Sequence, residues 1–450
     1  MKSLLTIVAF VTGIFFEPYL VQAQNPIVPN VGLNDPHIHI FNDTAFVYAS
    51  HDKSIHNTGF VMENWWIWSS PDLVTWTKRS ILDPAQTYIG IPFTSCWATD
   101  VGYKNGKYYW YFSEKNQQTG VVVGNTPTGP WKDPLGKPLL KSDLTSTDEY
   151  DIAIFEDQGS HYIIFGVWDY YIAKLNDDMI SLAEKPRKLL INNPHGPYNL
   201  DGKNKEMPTD DKPFVHKHNG KFYLSWGVFY AVADNIYGPY HYKGAIMNET
   251  SFAKGYDKPT WPNGFLQGRH GSFFEWHNQT YFAYCDISQT GNRWFRDTFI
   301  SYLNYKDNGE MAVIRVDGVG VGQYDSNAPL IEAEDYFISS GIQKKENKNG
   351  GFVLGEINDG DYVIYANVKN LADKNEIIFN YVRAKKNITI EIRRNTPNGE
   401  LLGVCDTIGL LETQTNVVAK LPFLGESESI CLVFRGKGID LLQLDSFSFH

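Results

Sequence analysis

Clustered positive charge is missing from this chain. Across 450 residues, 40 lysines and arginines face 51 acids, a formal charge of −11, and no long Lys or Arg run occurs. Nucleic acids and anionic membrane surfaces reward concentrated positive charge, so neither is an expected partner. Glycine (38) and proline (22) are too few for a fibrous or low-complexity chain. Cysteine is scarcer still: Cys96, Cys285, Cys405 and Cys431 stand at spacings that match no zinc pattern. Cys405 and Cys431 fall in one small C-terminal region, where a bridge between them and buried free thiols both stay open.

Long apolar runs are also absent, with one exception. Leu4 to Phe16 follows Lys2, but Glu17 and Pro18 interrupt it, well short of the roughly 20 residues a bilayer span needs. With Val21-Gln22-Ala23 behind it, the run reads as a signal peptide over residues 1–23, which predicts a secreted or periplasmic protein. What the chain has in quantity is apolar and aromatic surface. It is 42% hydrophobic, with 27 Phe, 27 Tyr and 12 Trp, enough for a sizeable core and incompatible with disorder as the main state. Rings of this kind stack on the C–H faces of sugars, and a neutral carbohydrate suits the charge.

One pattern recurs five times: an apolar strand, a two-residue polar turn, an aromatic-rich strand. The turns are Asn42-Asp43, Asn105-Gly106, Gln158-Gly159, Asn219-Gly220 and Asn278-Gln279. Asn-Gly favours a tight hairpin. The spacing leaves room for a four-stranded sheet per repeat, and the weak helical periodicity favours an all-β chain, a five-bladed β-propeller rather than a sandwich of many short strands. Counting back from the turns, Asp35 lies seven positions before Asn42, Asp151 seven before Gln158, Asp211 eight before Asn219 and His270 eight before Asn278. Trp97 and Asp100 precede Asn105 by eight and five. Equivalent positions of radially repeated blades converge on the axis, so these groups are expected at one mouth of the channel. A single Asp beside proline is ordinarily a turn residue. Three acids in one register are harder to explain that way, because like charges brought together are costly and are kept where chemistry uses them.

At this point the residues resemble glycoside hydrolase family 43. Asn34-Asp35-Pro36 is similar to its opening Asp-Pro, Ser69 to Trp76 to its "SxDLxxW", Trp97-Ala98-Thr99-Asp100 to its "WAPD", Asp151 to Phe155 to its "DPxxF" and His270-Gly271-Ser272 to its "HGS". The resemblance implies an inverting hydrolysis, with Asp35 as general base, Asp151 orienting and tuning the acid, and Asp211 as general acid. It also implies that His270 helps hold a central ion or water, and that Arg296, or failing that Arg293, approaches the sugar. Trp65, Trp66, Trp97, Trp168 and Tyr170 are candidate pocket walls, with core packing the plainer reading of each. The sequence departs from the family in three places. Asp211-Lys212-Pro213 stands where the family has "EGP" or "EAP", Thr99 replaces a proline, and Cys285 stands where histidine is common. An Asp one methylene shorter than Glu leaves three readings open: the backbone compensates, Asp210 or Glu206 supplies the acid, or catalysis is weakened.

Beyond residue 329 the chain carries no tryptophan and reads as a β-sandwich over residues 330–450, after a propeller over 24–325. Ile331 to Tyr336, Asp359 to Val363 and Leu444 to Phe449 resemble a family 6 carbohydrate-binding module. That resemblance implies a structural calcium held by Glu332, Glu334 and Asp445, with no cofactor for catalysis. Thr413 to Asn416 replaces a loop that often carries a stacking Trp, which leaves Tyr362 and Tyr381 as a candidate platform, and a mere spacer as the other reading. Together these features predict a glycosidase acting on plant-type polysaccharide, with α-L-arabinofuranosidase the leading activity. The rivals are a xylosidase, a galactosidase or galactanase, and a weakened glycan-binding propeller.

Overall fold

A computed structural model describes residues 21–22, 25–253, 261–408 and 415–450, so most of the expected signal peptide lies outside the described residues. Five hairpins set the architecture. At four of the expected turns both central residues have positive φ: Asn42 and Asp43 (48° and 56°), Asn105 and Gly106 (52° and 77°), Gln158 and Gly159 (50° and 77°), Asn219 and Gly220 (46° and 78°). Two left-handed residues in succession give the tight turn whose twist matches the flanking strands, and Asn, Asp and Gly tolerate it best. The fifth turn departs from the sequence reading by one residue. Trp276 pairs with Gln279, which leaves His277 and Asn278 (53° and 64°) at the tip.

The first strand of each hairpin is an inner strand: Leu33–Phe41, Cys96–Lys104, Ala153–Asp157, Pro213–His218 and Gly271–Trp276. These touch one another in chain order, and the fifth touches the first, so the ring closes as a five-bladed β-propeller. Closure is reinforced by the segment before the first blade. Ile27 donates its N–H to the carbonyl of Thr298 (2.9 Å), and the Asn25 side chain bonds both the N–H and the carbonyl of Ile300 (2.9 and 3.0 Å) in the last blade.

Aromatic rings fill the wedges between blades. Trp65 lies 4.6 Å from Phe112 across the first two blades, and Trp65, Trp66 and Tyr170 are all buried. These three candidate walls are therefore packing residues. Removing ~200 Å² of ring from water at ~25 cal/mol per Å² is worth on the order of 5 kcal/mol each before entropy is counted.

The C-terminal part is a two-sheet sandwich. One sheet is built around Tyr362–Lys369, Ser427–Arg435 and Ile388–Arg394, the other around Leu442–Phe449 and Glu376–Ala384, with Phe379, Phe434 and Phe447 in the shared core. Strand Ile388–Arg394 separates the strands that carry Cys405 and Cys431. Cys405 faces the core while Cys431 joins a smaller cluster with Ile364 and Val433, so the Cys405–Cys431 bridge is excluded. Tyr381 is buried in the core and cannot join Tyr362 in a binding platform; Thr413 and Gln414 lie outside the described residues. The sandwich docks on blade five at the turn end, remote from His270: the Tyr336 hydroxyl bonds the Asn278 carbonyl (2.6 Å), and Gln279 donates to the carbonyls of Glu334 and Tyr336 (2.9 and 3.0 Å).

Candidate active site

The start of each inner strand is where chemistry gathers. Asp35 sits in a bulge, since pairing with the neighbouring strand breaks between Asn34 and His37. Its φ is 50°, and Asp151 and Lys212 adopt nearly the same angle, 56° and 51°. All three stand seven residues before the first residue of their turn, and the corrected fifth turn puts His270 in the same register. Left-handed backbone at non-glycine residues costs energy and persists mainly where a site uses it. The structural register is therefore Asp35, Asp151, Lys212 and His270, with Asp211 one residue ahead of Lys212.

Asp35 is buried and densely held. Arg296 Nη1 donates to its Oδ1 (2.9 Å), His270 Nε2 lies 2.5 Å from the same oxygen, and the Ser50 hydroxyl donates to Oδ2. Burial alone would raise its pKa, but Arg296, His270 and Lys212 outweigh that and hold it well below the usual carboxylate range. Arg296 is fixed in turn. Its Nε donates to Asp52 Oδ2 (3.0 Å), and its Nη2 donates to Asn34 Oδ1 (2.7 Å) and Asp52 Oδ1 (3.1 Å). All three guanidinium nitrogens are engaged with the protein, which sets Arg296 against Asp35, Asn34 and Asp52. Arg293 is exposed and stacks over Trp294 at 4.3 Å. Burial pushes Asp52 up to about 6 against the pull of Arg296.

His270 joins two of the three acids, its Nδ1 lying 3.0 Å from Asp211 Oδ1. Burial opposes charge on the ring, yet Cys285, Asp211 and Asp35 hold its pKa well above the ordinary value. Asp151, whose N–H is held by Ser113 Oγ (3.0 Å), has a pKa raised well above normal by burial, then by the charges of Asp211 and Asp35. The three acids thus share one electrostatic site. Asp211 keeps a 36% exposed side chain, while Asp210 is buried beneath it, accepts the Asp211 N–H (3.0 Å) and is pushed up to about 8, first by burial and then by Asp211. Glu206 is exposed on the preceding loop.

Around this centre Trp97 and Trp168 are partly exposed. Trp97 meets Tyr150 and Phe60 edge-on (6.0 and 6.1 Å), and Trp168 meets Tyr198 (5.0 Å). Asp100 is turned inward, where His39 Nε2 (2.6 Å), His37 Nδ1 (2.9 Å) and the N–H of Ile154 (2.6 Å) surround it and hold its pKa low against burial. Sequence reasoning missed Asp52 and Phe60, which carry no motif, and Asn34 and Lys212, which lay inside motifs read for Asp35 and Asp211 alone.

The central ion implied by the resemblance does not fit these residues. Asp35, His270 and Cys285 bring donor atoms within 4.8 Å of one another. Asp35 Oδ1 already accepts from Arg296 and lies 2.5 Å from His270 Nε2, however, and the other ring nitrogen lies 3.0 Å from Asp211, so the histidine and the carboxylate oxygen nearest the axis are both taken up by protein partners.

The profile of "Glycosyl hydrolases family 43" matches residues 23–311. The chain belongs to glycosyl hydrolases family 43. It is a glycosidase, and a "Carbohydrate binding module (family 6)" profile matches residues 332–450. An arabinoxylan arabinofuranohydrolase of Paenibacillus polymyxa is 24% identical over 95% of this chain and 74% of its own length. A xylosidase/arabinosidase of Bacteroides ovatus is 26% identical over 64% of this chain and 96% of its own. The crystal structure of a family 43 arabinoxylan arabinofuranohydrolase from Bacillus subtilis, in complex with cellotetraose, superposes with a TM-score of 0.55 at 20% identity, covering 94% of this chain and 97% of that one, and supports the fold.

In the sandwich, Glu332 pairs in register with Ser446, beside Asp445. Burial, then Asp335 and Asp445, push Glu332 up to about 7; burial and Asp335 push Glu334 up to about 9. Glu334 Oε2 is buried without a hydrogen-bond partner, and Glu332 and Glu334 line a cavity of about 330 Å³. These hard oxygens suit calcium. Asp445 suits it less, because its oxygens accept from Asn347 (3.1 Å) and Ser446 (3.3 Å).

Proposed function

We propose that this enzyme is an exported, inverting, exo-acting glycosidase that releases L-arabinofuranose from plant-type polysaccharides or their fragments. The observation that carries the reading is His270 spanning Asp35 and Asp211. With an imidazole between them the two carboxylates stand roughly 7 Å apart, within the roughly 6.5–9.5 Å that inversion needs for a water on the far face of the sugar. Asp35, kept ionised, takes the proton of that water as it attacks the anomeric carbon. Asp211, the more open acid, protonates the departing oxygen. Burial and then the charge of Asp211 raise the pKa of Asp151, so Asp151 is electrostatically linked to the acid it would tune. Trp97 and Trp168 offer faces for the ring. The arabinose assignment draws support from the Paenibacillus polymyxa relative, which spans both parts of this chain.

Turnover of nitrophenyl arabinofuranoside, xyloside and galactoside tests this directly. The arabinofuranoside is expected to be cleaved fastest. A faster xyloside would make the enzyme a xylosidase, and no release from any of them or from arabinoxylan would end the hydrolase role.

Asp210 is the rival acid, because a group titrating at about 8 is protonated at neutrality. Asp211→Asn is expected to lower kcat by ~10²-fold or more, as for loss of a general acid, and Asp210→Asn much less. A general acid works only while protonated, so an Asp210 acid would show as activity falling while pH rises through about 8. Loss of that limb in Asp210→Asn, with Asp211→Asn active, would transfer the role.

Calcium is proposed at Glu332 and Glu334, on the first strand of the sandwich and the turn that follows it. A ligand present at ~100 times its Kd adds about 2.7 kcal/mol to stability, so calcium is expected to raise the melting temperature of chelator-treated protein. No shift at millimolar calcium would remove this site.

A further inference from the structure

Lys212 has no place in the mechanism above, yet it occupies the register position of the fourth blade. Where the family motif carries Gly or Ala between the acid and the proline, this chain places a lysine, and it does so at a φ of 51° that glycine would accept without strain. The side chain is buried. Its Nζ donates to the backbone carbonyl of Asp35 (3.3 Å), on the opposite arc of the ring. The groups facing it are Asp35 and His37 from the first blade, Asp100 from the second, Asp151 at the start of the third and Cys285 from the fifth.

A buried ammonium is expensive unless its charge is balanced, and here Asp35, Asp151 and Asp100, from three blades, act on it through space with no direct ion pair among the described residues. Burial holds its pKa below the ordinary value, with Asp35, Asp151 and Asp100 opposing that fall, and its charge in turn favours the ionised forms of Asp35 and Asp151. Resting on the hydrolase reading above, we propose that the ammonium of Lys212 is the resident cation of the channel mouth, doing there what a bound metal ion would otherwise do for a ring of inward acids. Lys212 is thus a positioning residue: it anchors the Asp35 backbone from across the axis and balances the acids without touching the sugar.

Three measurements test this, all on the full chain. The wild type, treated with chelator and assayed where circular dichroism shows it folded, is expected to keep its rate. Lys212→Gln keeps a polar N–H donor, one bond shorter than the lysine, but no charge, and is expected to lose about tenfold or more in kcat with KM little changed, as for a misplaced base. Lys212→Ala opens space at the axis, and its rate is expected to rise with added calcium or methylammonium, to which the wild type does not respond. Calorimetry provides a reading independent of turnover, in which Lys212→Ala binds one more calcium per chain than the wild type. Wild-type activity that falls on chelation and returns with calcium would overturn the proposal, as would a folded Lys212→Gln with wild-type kcat. If neither variant folds, the chelation result on the wild type decides. If the wild type cleaves no glycoside, the hydrolase reading fails by itself, and the absence of an extra calcium in Lys212→Ala separately overturns the role of Lys212.

Discussion

Asp35→Asn is expected to lower kcat by ~10²-fold or more while the protein stays folded, because the substitution removes the group proposed to accept the proton of water. Asparagine fills the same space, keeps its oxygen for Arg296 and turns its amide NH2 towards the Ser50 hydroxyl, which can accept, so the bulge that holds it need not move. KM should change little, since the carboxylate gains its importance as the water is deprotonated. Steady-state kinetics on nitrophenyl arabinofuranoside, with circular dichroism to establish folding, supplies the check. Turnover near the wild-type value in a folded Asp35→Asn would take the base role away from this residue.

The second large effect is structural. Arg296→Met removes the cation shared by Asp35 and Asp52 and leaves two buried carboxylates with one fewer partner. Breaking a buried pair from one side typically costs about 3–5 kcal/mol, because the remaining charge is uncompensated. Asp52 depends on the arginine most, since the backbone N–H of Arg296 (2.8 Å) is the remaining donor to its carboxylate that the substitution preserves. Lower pH should soften the defect. A carboxylate stripped of its cation is costly only while ionised, so protonating Asp52 and Asp35 recovers part of the loss, and the deficit should grow as pH rises. Urea unfolding of both proteins at pH 5 and pH 8 measures this. A deficit that is the same at both, or absent, would mean that Arg296 is not their counter-ion.

The propeller was readable from the sequence because its turns are chemically constrained. Both central residues must take positive φ, and the Asn-Gly, Gln-Gly and Asn-Asp pairs that satisfy this recur at even spacing. The same spacing brought Asp35 and Asp151 to the axis. It misplaced blade five by one residue, because His277 and Asn278 tolerate the turn without a glycine to mark it, and this hid the match of His270 to the others. Lys212 went unread for a related reason: an acid search stops at Asp211, although the seven-residue offset falls on the lysine. Arg296 and Arg293 could not be told apart in one loop sequence, and only the fold shows Asp52 and Asn34 closing around Arg296. Partners contributed by a distant strand leave no local pattern. Aromatic walls and aromatic packing also look alike in sequence, which is why Trp65, Trp66 and Tyr170 stood beside Trp97 and Trp168 as candidates until burial separated them.

The relation of Asp35 and Asp211 across His270 is tested most directly by proton NMR of the first sugar released from an α-linked arabinofuranoside. Two carboxylates set apart with water between them should deliver the β anomer first, the α anomer growing in only as the free sugar mutarotates. Initial appearance of the α anomer would mean retention through a covalent intermediate, and would contradict the placement of Asp35 as a base acting on water.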